Sequence, residues 1–174
     1  MATDGQGERR RITACGSQGH DGERLGLHVE TDIRSAPLDG DPWLIERLVS
    51  NLVDNAIGHN IPDGHVRILT GVQEGRAVFS VTNTGLVVPP GEVNRLFQPF
   101  QRLDGRRTHR KNGHGVGLSI VRAIATAHGA VITASAPPGG GLSVDVMFPP
   151  PNGPETKIVS GRALRVPATS LRLG

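Results

Sequence analysis

Residues 113–128 read Gly-His-Gly-Val-Gly-Leu-Ser-Ile-Val-Arg-Ala-Ile-Ala-Thr-Ala-His, and this stretch indicates the fold most directly. The alternating residues Gly113, Gly115 and Gly117 stand directly before a run with helical periodicity. Glycines at this spacing let another group approach the backbone closely and leave N–H groups available. The positive end of the following helix points to the same place. The stretch therefore predicts a loop and a helix over residues 117–128 that together form an anion site, most naturally for phosphate.

The segments around this stretch predict a mixed, mainly antiparallel sheet. Asp41-Pro42, followed by a wide apolar stripe, predicts a helix over residues 42–59, and a short helical turn is expected over 92–97. Two long helices beside such a sheet give a two-layer α/β sandwich, in which helices cover one face of the sheet. Alternating apolar residues predict strands over 26–33, 65–72, 76–82, 130–136 and 142–148.

Composition predicts one folded domain over residues 25–148. Residues 1–24 are polar and rich in glycine, and residues 149–174 combine prolines and arginines around a short apolar patch. Neither end can bury enough apolar surface to offset the entropy of ordering it. We therefore expect a disordered N-terminal segment and a disordered tail on either side of the domain.

Bulk properties exclude several classes of protein. The net charge is +3 and aromatic residues make up 3% of the chain, so the stacking residues of a nucleic-acid interface are missing. Cys15 is the single cysteine, which excludes an internal disulfide or a thiolate cluster. No apolar run approaches the ~18 residues that span a bilayer, and no signal-peptide core is present. The sequence thus predicts a cytoplasmic monomer without a membrane segment.

Two asparagines stand out on the first predicted helix. Asn51 and Asn55 lie one turn apart, so they share a face beside the apolar stripe. Asparagine is a mediocre helix former because its amide competes for backbone groups. One interpretation is a pair of solvated edge residues. The other is a pair of amide oxygens directed at Mg²⁺ and phosphate, since Mg²⁺ accepts one or two protein oxygen ligands.

Two further segments fit a nucleotide pocket. Asn83-Thr84-Gly85 ends the strand 76–82, where a side-chain oxygen can read the edge of a base, although a plain Asx turn has the same sequence. The long loop 97–111 places Phe97 and Phe100 beside basic side chains that could close over phosphates, and a solvated basic loop is the alternative. The basic residues are Arg102, Arg106, Arg107, Arg110 and Lys111.

Along the chain, the asparagine helix is followed by the strand that ends at Asn83, the loop with the phenylalanines and the glycine triplet with its helix. This order resembles the ATP-binding catalytic domain of sensor histidine kinases, in the superfamily that includes gyrase-type and chaperone-type ATPases. Residues 51–56 are similar to the N-box, residues 96–100 to the F-box and residues 113–121 to the second glycine box. The resemblance covers residues 25–148, and the amino-acid sequence of residues 83–121 is most similar to that of actinobacterial sensor kinases. It implies a protein histidine kinase of a two-component phosphorelay, with ATP and Mg²⁺ as cofactors and a long lid loop over the ATP.

The resemblance also implies residue roles. Asn55 would hold Mg²⁺ and Asn51 would support the phosphates. The ATPase branches of the superfamily have a glutamate at the position of Asn51, and an amide cannot take a proton, so phosphoryl transfer is expected rather than hydrolysis. The other residues implied to bind the nucleotide are His59, Asn83, Gly85, Phe97, Arg102, Arg107, Gly113, His114, Gly115, Val116, Gly117 and Leu118.

The chain departs from the family's pattern at three positions. Asn83 stands where the family has an aspartate, so the bond to the adenine amino group loses its charge-assisted part. Val87 replaces the second glycine of the first glycine box, and Gly58 replaces a lysine or arginine that meets the phosphates. Each change is expected to weaken nucleotide binding by about 1 kcal/mol.

The sequence offers no phosphoacceptor of its own. Residues 1–24 carry no heptad pattern, and His20 lies in a glycine-rich loop. We expect the acceptor histidine on a dimerisation domain or kinase in trans, with a response regulator as an indirect partner. The alternatives are a nucleotide-binding regulatory module or truncated kinase without turnover, and a serine kinase of the anti-sigma-factor type. Relatives of the last type carry an acidic residue at the position of Asn51, which disfavours it.

Overall fold

A computed structural model describes residues 8–16, 25–100 and 116–151 of the 174-residue chain. Two helices and a 3₁₀ helix lie among six strands within these ranges. The strands are β1 (Glu8–Gly16), β2 (Leu25–Ile33), β3 (His65–Gln73), β4 (Arg76–Asn83), β5 (Val131–Ser135) and β6 (Leu142–Met147). The helices are α1 (Pro42–Gly58) and α2 (Gly117–Ala127), and the 3₁₀ helix covers Pro90–Phe97.

The strands form one sheet in the order β1-β2-β3-β4-β6-β5. Strands β2 and β3 are parallel and are connected through α1, whereas the other neighbouring pairs are antiparallel. The mixed, mainly antiparallel sandwich predicted from the sequence is confirmed. The predicted helices and the five predicted strands are also present, with bounds that differ by one or two residues. The long lid loop falls largely in residues 101–115, outside the described ranges.

The core lies between one face of the sheet and the two helices. Apolar side chains on the inner face of α1 and α2 meet the inward-facing members of the strands, and each fully buried leucine or valine contributes about 1.5–3 kcal/mol. The alternation of β4, where every second residue is buried, shows which face the helices cover. Core residues include Leu48, Val49, Leu52, Val53, Val66, Ile68, Phe79, Val81, Val121, Ile124, Val144 and Val146.

Local signals set the ends of the helices. Asp41 caps α1, because its carboxylate accepts from the backbone N–H groups of Trp43 at 2.8 Å and Leu44 at 3.2 Å. The C-cap of α2 is His128, whose Nδ1 lies 2.8 Å from the carbonyl oxygen of Ile124, while its Nε2 lies 3.2 Å from the backbone nitrogen of Asp41. A carbonyl only accepts and a backbone N–H only donates, so His128 carries its proton on Nδ1. This ring ties the start of α1 to the end of α2.

The N-terminal region departs from the prediction, which expected no regular element before residue 25. Residues 8–16 form β1, which pairs with β2 from Glu8↔Ile33 to Gly16↔Leu25. The prediction weighed apolar content alone, whereas an outer strand is stabilised through backbone hydrogen bonds and tolerates charged residues. Residues 1–7, 17–24 and 152–174 lie outside the described ranges, so the domain boundaries stay a prediction. Within the part of the chain that the structure describes, no helix is long and apolar enough to cross a bilayer.

Candidate functional site

The face of α1 that carries the two asparagines lies against the beginning of α2. The side-chain Nδ2 of Asn51 donates to the carbonyl oxygen of Arg47 at 2.8 Å, which fixes the orientation of the amide. The Oδ1 of Asn51 is directed toward α2, since a Cβ built on Gly117 would lie 3.6 Å from it. Asn55 follows one turn later and is also half-buried. The structure therefore brings Asn51 and the last glycine of the triplet together, with Asn55 one turn further along α1.

Within the described residues, no side chain caps the N-terminus of α2. Its N-cap is Val116, whose apolar side chain cannot bond the first N–H groups of the helix. Ser119 donates its hydroxyl back to the carbonyl oxygen of Val116 at 2.8 Å. Leu118 turns its side chain into the core, so only its backbone could meet a nucleotide. The predicted residues Gly113, His114 and Gly115 lie outside the described ranges.

The opposite end of the site is the exit of β4, where Asn83 is 6% exposed. Its Nδ2 donates to the carbonyl oxygen of Thr84 at 2.7 Å. Because that carbonyl can only accept, the nitrogen of the amide faces it, and the Oδ1 of Asn83 is the acceptor atom of the side chain. This is the orientation that reading a base amino group requires.

Gly85 lets two segments meet closely at this end. A Cβ on Gly85 would lie 2.8 Å from the carbonyl oxygen of His59 and 3.3 Å from the Cα of Gly141. Gly141 in turn has a φ of +91°, and a Cβ on it would overlap the carbonyl of Asn83. A side chain at Gly85 would push the segment after β4 away from the end of α1, and one at Gly141 would push the start of β6 away from the end of β4. The glycine at position 85 is thus required by packing.

His59, the C-cap of α1, links the two ends of the site. Its backbone N–H donates to the carbonyl oxygen of Asn55 at 3.0 Å, and its side chain is exposed. Asn51, Asn55 and His59 follow each other at four-residue spacing, so they run along one side of α1 over ~12 Å. The side of α1 leads from the start of α2 to Gly85.

Sequence reasoning missed a buried polar network beside this end of the site. Asn60 is 6% exposed and shares hydrogen bonds with groups from α1, β3 and the segment after β4. The one local signal was an asparagine directly after a helix, which also describes an ordinary turn. Its partner Thr84 lies 24 positions away in sequence, so only the fold brings the two together.

The two phenylalanines of the loop behave differently from each other. Phe97 is 5% exposed and belongs to the core, so its side chain anchors the 3₁₀ helix and does not face the asparagine pair. Phe100 is 78% exposed, with a φ of +61°. Phe97 thus attaches the start of the loop to the core, whereas Phe100 does not pack into it. Arg102 and Arg107 lie outside the described ranges.

Of the three departures from the family's pattern, Asn83 is buried, whereas Val87 and Gly58 have space around them. Val87 is 69% exposed, so its methyl groups do not fill the space beside Asn83. Gly58 has no heavy atom within 4 Å of the position that a Cβ would take. A longer side chain at Gly58 would therefore fit without displacing its neighbours.

The donor set suits a hard cation bound jointly by protein and phosphate. Residues 26–100 and 116–151 contain no group of three or more His, Cys, Asp or Glu side chains that could hold a metal ion. Mg²⁺ needs no such cage, because it keeps several waters and takes one or two protein oxygens plus substrate phosphates. The amide oxygen of Asn55, one turn along α1 from Asn51, is a ligand of the kind that this requirement calls for.

Comparisons with known proteins agree with this geometry. The model of the family described as "Histidine kinase-, DNA gyrase B-, and HSP90-like ATPase" matches residues 40–152. The sensor protein CutS of Streptomyces coelicolor is 45% identical over 128 residues, which cover 73% of this chain and 31% of CutS. The sensor histidine kinase YkoH of Bacillus subtilis is 34% identical over 125 residues, covering 72% of this chain and 27% of YkoH. The chain thus spans about a third of these relatives.

Solved structures show the same likeness. The mycobacterial sensor histidine kinase MprB superposes with a TM-score of 0.61 at 26% identity, covering 71% of this chain and 84% of that one. Full-length ShkA in complex with AMPPNP superposes with a TM-score of 0.59 at 26% identity, covering 72% of this chain and 26% of ShkA.

Proposed function

This chain belongs to the histidine kinase-, DNA gyrase B- and HSP90-like ATPase family, and we propose that it binds ATP with Mg²⁺ and transfers the γ-phosphoryl group to a histidine on another chain. The known proteins to which it is similar are sensor histidine kinases. Under this proposal it acts in two-component signalling in the cytoplasm. A response regulator then receives the phosphoryl group from the histidine.

The observation that carries the proposal is the approach of Asn51 Oδ1 to Gly117. It places a fixed amide on one helix beside the N-terminus of another, whose backbone N–H groups and positive dipole end attract phosphate. The side of α1 that carries Asn51 and His59 connects this end to Gly85, which lies beside the buried amide of Asn83. A charged group at one end and a base at the other is the layout of a nucleoside triphosphate.

Each described residue has a role under this proposal. Asn55 supplies an oxygen to Mg²⁺, which neutralises charge on the phosphates when it is bound. Asn51 and the backbone of residues 116–118 hold the phosphate end. Asn83 accepts from the amino group of adenine through Oδ1, with its nitrogen held by Thr84. Positioning and electrostatics, not covalent chemistry, would account for the rate of transfer.

Asn51 also bears on the choice between transfer and hydrolysis. Activation of a water for attack on the γ-phosphate requires a group that accepts its proton. The amide of Asn51 cannot do so, and its nitrogen is already bonded to Arg47. We therefore expect little release of free phosphate by the domain alone.

Titration calorimetry tests the binding step. The chain is titrated with ATP and ADP, each with and without Mg²⁺. Saturable binding that Mg²⁺ strengthens is the expected result. Absence of saturable binding at millimolar nucleotide would overturn the proposal.

Radiolabelled ATP tests the transfer step. The chain is mixed with a separately expressed dimerisation hairpin of a sensor histidine kinase, and with the same hairpin whose acceptor histidine is replaced by alanine. Label on the intact hairpin alone supports transfer in trans. Rapid release of free phosphate without a hairpin would contradict the role given to Asn51.

A second candidate is a nucleotide-binding regulatory module without turnover. Gly58 favours it, because the structure leaves open space where many relatives carry a basic side chain toward the phosphates. Saturable binding of ATP without label on any hairpin would support this second function.

A further inference from the structure

The buried amide of Asn60 makes hydrogen bonds in four directions. Its Nδ2 donates to the carbonyl oxygens of Ala56 at 3.2 Å and His65 at 3.1 Å. Its Oδ1 accepts from the backbone N–H of Ile61 at 2.9 Å and from the hydroxyl of Thr84 at 2.7 Å. An amide can form two donor and two acceptor bonds of this kind, so Asn60 is fully satisfied. It joins the last turn of α1, the start of β3 and the segment that leaves β4.

Thr84 completes the connection from the other side. Its Oγ1 accepts from the backbone N–H of His65 at 2.7 Å and directs its own proton to Asn60. The backbone N–H of Thr84 donates to the carbonyl oxygen of His65 at 3.0 Å. Thr84 stands between Asn83 and Gly85, so every bond it makes also constrains its two neighbours.

Gly64 packs directly onto this pair of side chains. A Cβ at Gly64 would overlap both Asn60 Oδ1 and Thr84 Oγ1. Its backbone N–H donates to the carbonyl oxygen of Ile61 at 3.1 Å. The turn before β3 therefore packs against the two side chains, and the bond between them is partly buried.

We propose that Asn60 and Thr84 are positioning residues for the base end of the nucleotide site. This inference rests on the proposed function. The Asn60–Thr84 bond holds the end of β4 against the end of α1, and so sets the distance from Asn83 to the asparagine face of α1. Neither side chain touches the nucleotide in this assignment. They act through the backbone of residues 83–85, whose position fixes where Oδ1 of Asn83 meets the base.

The layout of hydrogen bonds separates this role from general support of the fold. Thr82, two residues earlier in β4, shares a hydrogen bond of 2.7 Å with Ser143 Oγ. Successive residues of a strand point to opposite faces, so Thr82 lies on the side of the sheet away from the buried Asn83. Thr82→Val and Thr84→Val therefore each remove one hydroxyl from the same region of the chain. Under this proposal only Thr84→Val affects the base end of the site.

The test compares ATP affinity in Thr84→Val, Thr84→Ser and Thr82→Val, each checked for cooperative unfolding. Thr84→Val removes one of the two donors to Oδ1 of Asn60 and the acceptor of the His65 N–H, and we expect ATP to bind about tenfold more weakly. Thr84→Ser keeps the hydroxyl and Thr82→Val leaves the network intact, so both should bind within about twofold of the parent. If Thr84→Val does not fold, Thr84→Ala removes the same hydroxyl with less bulk and carries the same expectation.

Hydrogen exchange in the protein without nucleotide provides the second readout. The Gly141 amide, which donates to the carbonyl oxygen of Leu86 at 2.9 Å, should exchange faster in Thr84→Val than in Thr82→Val. Equal affinity of Thr84→Val and the parent, or equal losses in Thr84→Val and Thr82→Val, would overturn the positioning role. Failure of the parent itself to bind ATP is a different result, since it overturns the proposed function and this inference with it.

Discussion

The two ends of the candidate site are packed in opposite ways. At the base end, Gly64, Gly85 and Gly141 stand where any side chain would collide with a backbone group or a buried amide. At the proposed phosphate end, a Cβ added to Gly58 would have no heavy atom within 4 Å. A Cβ added to Gly117 would lie 3.6 Å from the Oδ1 of Asn51. The base end is therefore fixed by contact, while the phosphate end leaves room for a ligand or a longer side chain.

This difference separates two kinds of residue within one site. Substitutions at the base end act first on the stability of the fold and through it on binding. Substitutions at the phosphate end act on binding and leave stability nearly unchanged. The predictions below follow this division, from the largest effect to the smallest.

Gly141→Ala should cause the largest loss of stability. Its φ of +91° is unfavourable for any other residue, and the new methyl group would overlap the carbonyl of Asn83. We expect the free energy of unfolding to fall by about 3 kcal/mol. Gly139→Ala is the matched control, since nothing lies within 4 Å of its Cβ position. Urea denaturation measures both, and similar values for the two variants would contradict the close packing of the base end.

Asn55→Ala should reduce binding without reducing stability. Loss of the amide oxygen removes the proposed protein ligand of Mg²⁺, so Mg²⁺ should no longer strengthen ATP binding. We expect about a tenfold loss in affinity for Mg²⁺-ATP, or ~1.4 kcal/mol. Calorimetric titration with and without Mg²⁺ measures it. Asn94→Ala, on the exposed side of the 3₁₀ helix, is the control and should bind as the parent does. If Mg²⁺ strengthens ATP binding to Asn55→Ala as much as it does to the parent, Asn55 is not a ligand of Mg²⁺.

His128→Ala should lower stability by a smaller amount. The ring bonds Asp41 and Ile124, at the ends of α1 and α2 that lie far from the asparagine face. Loss of these two bonds should cost about 1–2 kcal/mol of unfolding free energy. Thr126→Ala removes only a bond within α2, to the carbonyl oxygen of Arg122, and should change stability by less than about 0.5 kcal/mol. Thermal unfolding compares the two. A large change in ATP affinity in His128→Ala would show that the helix ends control the site.

Substitution of Gly58 should have the smallest effect on stability, and in the favourable direction. Gly58→Ala removes backbone entropy from the unfolded chain and should stabilise the fold by about 0.5–1 kcal/mol. Gly58→Lys should add a few-fold gain in ATP affinity, because an ammonium group at that position lies near the phosphates. Gly91→Lys places the same charge on another open surface and should leave affinity unchanged. If Gly58→Lys and Gly58→Ala bind ATP with equal affinity, the phosphates do not lie near position 58.

The secondary structure was largely predictable because local patterns determine it. The apolar stripe and Asp41 predicted α1, and alternating apolar residues predicted β3 and β4. In the structure a turn at Glu74 and Gly75, with φ values of 51° and 74°, joins these two strands. Strand β1 was missed because its pairing with β2, the next strand along the chain, rests on backbone hydrogen bonds. Composition alone carries no sign of such bonds.

The site was predictable only in part, for a similar reason. Asn51 and Asn55 stand at helical spacing, and the resemblance to a known family gave that spacing a meaning. Asn60 and Thr84 show neither a regular spacing nor a match to a family motif. Their hydrogen bond forms only once β4 lies beside the end of α1. The inward position of Phe97 also follows from packing, since an aromatic residue in a loop can attach to the core or to a ligand.

Strand β1 has a consequence for solubility. It covers the outer side of β2, a strand of nine residues. If residues 8–16 were removed, the N–H and C=O groups along that side of β2 would be exposed and could pair with strands of other molecules. The opposite border of the sheet is β5, which has five residues and pairs only with β6 in the described part of the chain. A short border strand offers little length for such pairing. At the other border β1 replaces β2 as the outer strand, and its sequence begins with the charged residues Glu8, Arg9, Arg10 and Arg11, a composition that disfavours pairing between molecules.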